Sequence, residues 1–271
     1  MSRLSISDIS DPRLEPYRHL KDTNQTRWAG LFVTEGEKLV RRLLASRYPI
    51  VSVLLSESFV DQIAGDVPEG VSLLVIPDAM VERLVGFNFH RGALACGRRI
   101  SSPSLEQLIG TIKKPLTFVV CPDVQDPENL GAILRISAAF GMDGILLGPR
   151  CTDPLSRRVL RVSMGAVLRL PLVQSDDLLR DLFRLRDQWQ VQLAATILDP
   201  AAEPLDTCRR PERLALLFGS EGHGLEPSWI EICDRRITIP MRDGVDSLNV
   251  AVAAGIFLHH FMRSDVLDAR V

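Results

Sequence analysis

The chain has 271 residues, 46% apolar and 24% charged, with 34 acidic against 32 basic side chains and a formal charge of −2. That composition suits one large or two small globular domains and excludes a disordered chain, a collagen-like fibre and a small disulfide scaffold. The near-neutral balance argues against a purely electrostatic nucleic-acid binder.

In chain order, Leu31 to Val33 reads as a strand, and Glu35 to Ala45 has Leu39, Leu43 and Leu44 at helical spacing. Ile50 to Leu55 is a β-branched strand, Phe59 to Ala64 a weak helix and Val71 to Ile76 a strand. Asp78 is placed to cap a helix through Val85, and Ala93 to Cys96 is a last strand. Residues 1–100 therefore form a small α/β domain. Residues 101–115, rich in Ser, Pro, Gly and Lys, read as a linker with a helical turn at Leu105 to Ile109. From residue 116 to 271, strands are expected at Leu116 to Cys121, Gly144 to Leu147, Leu170 to Val173, Val191 to Ala195, Leu214 to Phe218 and Ile237 to Ile239. Helices are expected at Leu130 to Phe140, Leu155 to Met164, Asp176 to Asp187 and Leu248 to Met262. Continuous apolar strands alternating with helices predict a mainly parallel sheet covered on both faces.

No apolar run reaches the roughly 18 residues of a membrane span. The first ten residues are polar where a signal peptide would be apolar. The five cysteines (Cys96, Cys121, Cys151, Cys208 and Cys233) form no CxxC pair, and no His or Cys set has metal-ligand spacing. The expectation is a cytoplasmic protein with reduced, packing cysteines, no membrane segment and no metal. Between residues 150 and 169, Arg150, Arg157, Arg158, Arg161 and Arg169 face only Asp153, a local excess of four positive charges.

Ligands of parallel sheets sit beyond the carboxyl ends of the strands. Three loops there have unusual composition. The first, from residue 122, reads PDVQDPENLGAILRISAAFG. Asn129 is a candidate N-cap, and Arg135 lies at the edge of an apolar stripe of Leu130, Ile133, Leu134 and Ala138, either functional or snorkelling. The second, from residue 219, reads GSEGHGLEPSW: its glycines allow close backbone approach, Glu221 is an acceptor for a ligand or for Arg135, and His223 is a solvated loop residue. It is not GxGxxG, so a dinucleotide-binding oxidoreductase is disfavoured. The third, from residue 239, reads IPMRDGVDSLNVAVAAGIFL, with Ser247 or Asp246 able to cap the last helix and Asn249 in its first turn.

Together these loops resemble motifs 1, 2 and 3 of the SpoU (TrmH-like) family of RNA ribose 2′-O-methyltransferases, in the SPOUT superfamily: NLGAILR at 129–135, FGSEGHGL at 218–225 and IPM…SLNVAVAAG at 239–255. The stretch RRVLRVSMGAVLRLP at 157–171 is similar to the family's segment between motifs 1 and 2. FVTEGEKLVRRLL at 32–44 resembles an L30e-like substrate-binding domain. The resemblance implies a SPOUT-type parallel sheet with a C-terminal deep trefoil knot, which periodicity alone does not reveal. It further implies S-adenosyl-L-methionine as cofactor and a homodimer through the catalytic domain.

By motif position, the catalytic candidates are Arg135, Asn129, Glu221, Ser247 and Asn249. The implied cofactor set is Leu217, Phe218, Gly219, Ser220, Glu221, Gly222, Ile239, Pro240, Met241, Leu248 and Asn249. Ala251 stands where many members have serine. Arg157, Arg158 and Arg161 are candidate RNA contacts, with a solvated helix face as the alternative. Arg135 is implied as the base, but a guanidinium pKa above about 12 leaves electrostatic stabilisation of the nascent alkoxide as the alternative role. L30e-like modules read structured RNA, which favours ribosomal RNA over tRNA as substrate. The alternatives are a SPOUT base methyltransferase and a non-catalytic RNA-binding protein.

Overall fold

The computed structural model describes residues 2–18, 20, 27, 29–86, 92–110, 115–242 and 247–268. They form two compact units. The first is Met1–Ser101 with Pro154–Arg169, and the second is Ser102–Asp153 with Leu170–Val271. By sequence, residues 154–169 belong with the second domain. In the structure its helix, with Val159 and Leu160 buried, packs against the first.

The first unit carries a five-stranded sheet of β1 (Ser2–Ser5), β2 (Leu31–Glu35), β3 (Ile50–Ser56), β4 (Ser72–Ile76) and β5 (Ala93–Arg98), in the order β1-β4-β3-β5-β2. β1, β4 and β3 run parallel, and β5 is antiparallel to both β3 and β2. β1 was not expected, because SRLS has too little apolar character to announce a strand. Between β2 and α1 (Glu37–Leu44), Gly36 sits at φ 90°, a conformation that only glycine adopts without strain. α2 (Val60–Ile63) is a single turn, and α3 spans Asp78–Val85. Asp78 does not cap α3. Pro77 occupies the cap position, and the Asp78 carboxylate, inside the first turn, accepts from Ser58 Oγ at 2.6 Å. Tyr17 is fully buried and meets its polar demand through its hydroxyl, which donates to the Ser52 carbonyl at 2.9 Å.

In the second unit, α4 (Leu105–Ile109) carries a capping box between Ser104 and Gln107. Its Leu105, Leu108 and Ile109 are buried in the core, so this part of the expected linker is structural. The strands are β6 (Leu116–Cys121), β7 (Gly144–Leu147), β8 (Leu172–Gln174), β9 (Gln192–Thr196), β10 (Glu203–Pro204), β11 (Arg213–Leu217) and β12 (Arg235–Thr238). They pair in the order β10-β12-β9-β11-β6-β7-β8, every pair parallel. The helices are α5 (Pro127–Ala139), α7 (Leu178–Trp189), α8 (Pro227–Glu231) and α9 (Val250–Asp268), while α6 (Arg157–Val162) belongs to the first unit.

Every residue of β6 is buried, as both-face coverage requires. Phe118 and Val120 pack with α4 and α7. On the other side α9 lies along α5, with Phe140 and His259 rings 5.9 Å apart. On α5 it is Ser137, its hydroxyl donating to the Ile133 carbonyl at 2.8 Å, that is buried, while Ala138 is exposed. No helix among the described residues is long and apolar enough to cross a membrane. Burial pushes the Cys151 thiol up to about 11 and the Cys96, Cys208 and Cys233 thiols up to about 12, and raises Cys121 well above its ordinary value. All five are therefore poor nucleophiles at neutral pH.

Candidate functional site

The strand order changes direction beside β6. From β6 the chain steps outward to β7 and β8, then returns to build β9, β11 and β12 on the other side. Such a switch point opens a crevice at the carboxyl ends of the strands. Here it is a cleft of about 980 Å³. Segments at four strand ends line it: Asp126 and Asn129 after β6, Thr196 to Asp199 at the end of β9, Phe218 to Leu225 after β11, and Ile239, Met241 and Ser247 to Val250 after β12. Pro227, Ile230 and Glu231, Arg236 of β12, and Ala253 and Phe257 of α9 complete the wall.

One hydrogen-bonded chain joins three of these segments. Asn249 Oδ1 accepts from the backbone N–H of Ala251 at 2.9 Å and of Val252 at 3.3 Å, so Asn249 itself caps α9. Ser247, expected as a cap, is exposed and lines the cleft, and Asp246 lies outside the described residues. With its oxygen committed to the cap, Asn249 presents Nδ2 to Asn129 Oδ1 at 2.7 Å. Asn129 is thereby oriented too, donating Nδ2 to Glu221 Oε1 at 2.9 Å and to Asp126 Oδ2 at 3.4 Å. The amide orientations follow from the network, each link fixing the next. Asp126, not Asn129, caps α5, accepting from Glu128 N–H at 2.8 Å. Relieved of capping, the buried Asn129 is free to face Glu221 across 92 residues of sequence.

Asn249→Ala loses the cap and the relay together and costs about 1 kcal/mol of stability. Asn249→Asp keeps an acceptor for the helix N-terminus but has no proton for Asn129. Urea unfolding should find the Asp variant, which keeps the cap, more stable than the Ala variant, while turnover falls in both. Parent-level turnover in the Asp variant removes any role for the relay.

The glycine loop closes on itself. Ser220 N–H donates to the Gly224 carbonyl at 2.9 Å and Gly224 N–H to the Ser220 carbonyl at 3.0 Å. A Cβ at Gly219 would lie 2.1 Å from the Gly224 carbonyl carbon, whereas one at Gly222 would meet nothing within 4 Å. Gly219 is therefore required by the fold, while Gly222 borders open cleft. Gly219→Ala should lower stability by about 2 kcal/mol, an overpacking cost read as a shifted urea midpoint.

Of the residues proposed for the cofactor, Phe218, Gly219, Ser220, Glu221, Gly222, Ile239, Met241, Leu248 and Asn249 line the cleft. Leu217 does not: it is fully buried in β11, where its carbonyl accepts from Thr196 Oγ1 at 2.8 Å. Pro240 does not line it either. Arg135 is exposed two turns along α5 and is absent from the cleft wall of its own chain. The sequence reading missed Thr196 to Asp199, Glu231 and Arg236, all on the wall. The rule that ligands sit at strand carboxyl ends pointed to the first of these, since β9 ends at Thr196.

The basic cluster is largely spoken for. Arg150 pairs with Glu226 at 2.6 Å and Asp123 at 3.2 Å, tying the first loop to the second. In the first unit, Arg157 and Arg161 lie 3.6 and 3.9 Å from the buried Glu35 carboxylate. Arg157 thus faces inward, and Arg158 is the exposed member of the three.

Residues 116–259 match the model of the SpoU rRNA Methylase family. An uncharacterized tRNA/rRNA methyltransferase of Mycobacterium bovis is 34% identical over 272 residues, covering 96% of this chain and 91% of that protein. The 23S rRNA (guanosine-2′-O-)-methyltransferase RlmB of Acinetobacter baylyi is 30% identical over 199 residues, 72% of this chain and 80% of its own. A crystal structure of an AdoMet-bound rRNA methyltransferase from Sinorhizobium meliloti superposes with a TM-score of 0.81 at 26% identity, covering 97% of this chain and 98% of that one. The chain belongs to the SpoU rRNA methylase family of RNA methyltransferases.

Proposed function

We propose that the protein transfers a methyl group from S-adenosyl-L-methionine to a ribose 2′-hydroxyl of structured RNA, with ribosomal RNA favoured over tRNA. The observation that carries this reading is the Glu221–Asn129–Asn249 chain at the cleft, which brings the three motif segments together. The names of RlmB and the Sinorhizobium protein support both the reaction and the cofactor.

The cleft suits the cofactor chemically. Phe218, Leu225, Ile239 and Leu248 offer apolar surface for an adenine, and Gly222 leaves room beside the loop. Asp126, Asp199, Glu221 and Glu231 surround the space with negative charge suited to a sulfonium and an ammonium. When bound, the cofactor supplies a methyl group already activated on sulfur. What remains for the protein is to align the hydroxyl and manage its proton. Asn129 and Asn249, locked by their hydrogen bonds, hold the mouth of the cleft in one arrangement. Arg135 supplies positive charge to the developing alkoxide.

Because Arg135 stands outside the cleft of its own chain, the reading requires a second copy: the partner subunit's Arg135 completes each site. Val252 and Ile256, four residues apart on α9 and 52% and 39% exposed, form the apolar stripe expected of a dimer face. The reading also includes the trefoil knot in the second unit and an L30e-like role for the first. There Arg158 offers the most accessible of the three candidate phosphate contacts.

The test is transfer of labelled methyl from S-adenosylmethionine to deproteinised ribosomal RNA, with tRNA in parallel. Incorporation into ribosomal RNA alone is expected. Incorporation into tRNA alone transfers the substrate assignment, and none into either defeats the reading.

A further inference from the structure

The cleft has a second end that the reaction does not use. Arg236 pairs in register with Ala195, Ala195 with Leu217 and Leu217 with Val120. In-register residues of parallel strands share a face, so Arg236 shares the face of Ala195, Leu217 and Val120, packed with α7 and Leu225. Phe218, one residue on from Leu217, turns to the opposite face, where it meets Phe257 edge-on at 5.9 Å. The cleft therefore runs from the Phe257 face around the carboxyl edge of the sheet to the Arg236 face, where Ile230 and Glu231 of α8 also line it.

The two adjacent arginines of β12 divide their work. Arg235 is held by Glu203, at 3.0 and 2.6 Å, and by the Arg209 carbonyl at 3.2 Å. Arg236, on the other face, has no ion-pair partner among the described residues. It is the single arginine or lysine among the described residues of a wall that holds Asp126, Asp199, Glu221 and Glu231. A positive group retained in so acidic a cleft suits an anionic ligand group, and a neighbouring carboxylate suits a cationic one.

We propose that Arg236 binds the α-carboxylate of the cofactor's amino-acid end, while Glu231 and Asp199 receive its ammonium. This rests on the S-adenosylmethionine reading and extends it to the orientation of the cofactor: amino-acid end toward α8, sulfonium toward Asn129 and Glu221. Arg236 is then a binding residue with no part in methyl transfer itself.

Calorimetric titration with S-adenosylhomocysteine and with its decarboxylated analogue, which keeps the ammonium, separates the possibilities. The parent protein should prefer S-adenosylhomocysteine about tenfold, the scale of one charge-assisted contact in an open cleft. Arg236→Gln should erase that preference by weakening S-adenosylhomocysteine alone, and Arg236→Lys should keep part of it. Equal weakening of both ligands by Arg236→Gln, or an unchanged preference, overturns the assignment while leaving the cofactor reading intact. Unchanged S-adenosylhomocysteine affinity with weakened RNA binding reassigns Arg236 to the RNA. A folded parent that binds neither ligand overturns the inference and the cofactor reading together.

Discussion

Replacing Arg135 with alanine should lower methyl transfer by at least about 100-fold, the scale of deleting one preorganised electrostatic stabiliser, and leave S-adenosylhomocysteine affinity unchanged. The second half follows from the proposed role, in which the partner subunit's Arg135 acts on the ribose hydroxyl and not on the cofactor, and from its absence from the cleft wall of its own chain. Stability should change little, because the side chain is exposed. Arg135→Lys separates two roles. Lysine keeps the charge on a compact ammonium but loses the planar fork. Substantial rescue means that charge suffices, and none means that bidentate geometry or proton transfer through the guanidinium is needed. Near-parent turnover in Arg135→Ala makes Arg135 an ordinary surface residue.

Gly222→Val should reduce S-adenosylhomocysteine affinity by at least about 100-fold, because a branched side chain fills cleft volume that the ligand needs. Nothing lies within 4 Å of a Cβ there, so the fold itself tolerates the change. Calorimetry with unaltered urea unfolding is the expected pair of results. Retained binding would move the cofactor away from the glycine loop. Combined with Arg135→Ala, this variant also tests assembly. A heterodimer of the two inactive chains pairs an intact cleft with the partner subunit's Arg135. Random mixing at equal amounts should recover about a quarter of parent activity. No recovery, in a mixture shown to exchange subunits, means that Arg135 acts within its own chain.

Much of the second unit was legible because its strands are buried on both faces and so appear as continuous apolar runs. Leu116 to Cys121 and Gly144 to Leu147 coincide with β6 and β7 to the residue. Edges were harder. Glu203–Pro204 is two residues long, and Ser2–Ser5 is polar, so neither carries a period that a sequence displays. Motif order brought Asn129, Glu221 and Asn249 forward as candidates, but two local placements differ: Asp126 in place of Asn129 caps α5, and Asn249 caps α9 instead of lying within its first turn. Asp126-Pro127 and Asn129 are both plausible helix starts, and composition does not choose between them. The choice is made by Glu221, 92 residues away, which takes the Asn129 amide. Likewise Arg157, by sequence either a phosphate contact or part of a solvated helix face, lies beside the buried Glu35 carboxylate. Pairings of this kind depend on tertiary placement and leave no periodic trace.

The most direct measurement is a map of 2′-O-methylated riboses in total RNA from cells with and without the gene, using their resistance to alkaline cleavage. The expected result is that one ribose in ribosomal RNA loses its methyl group on deletion, and that the parent gene restores it while Arg135→Ala does not. An unchanged ribose map, or loss of a base methylation in its place, would contradict it.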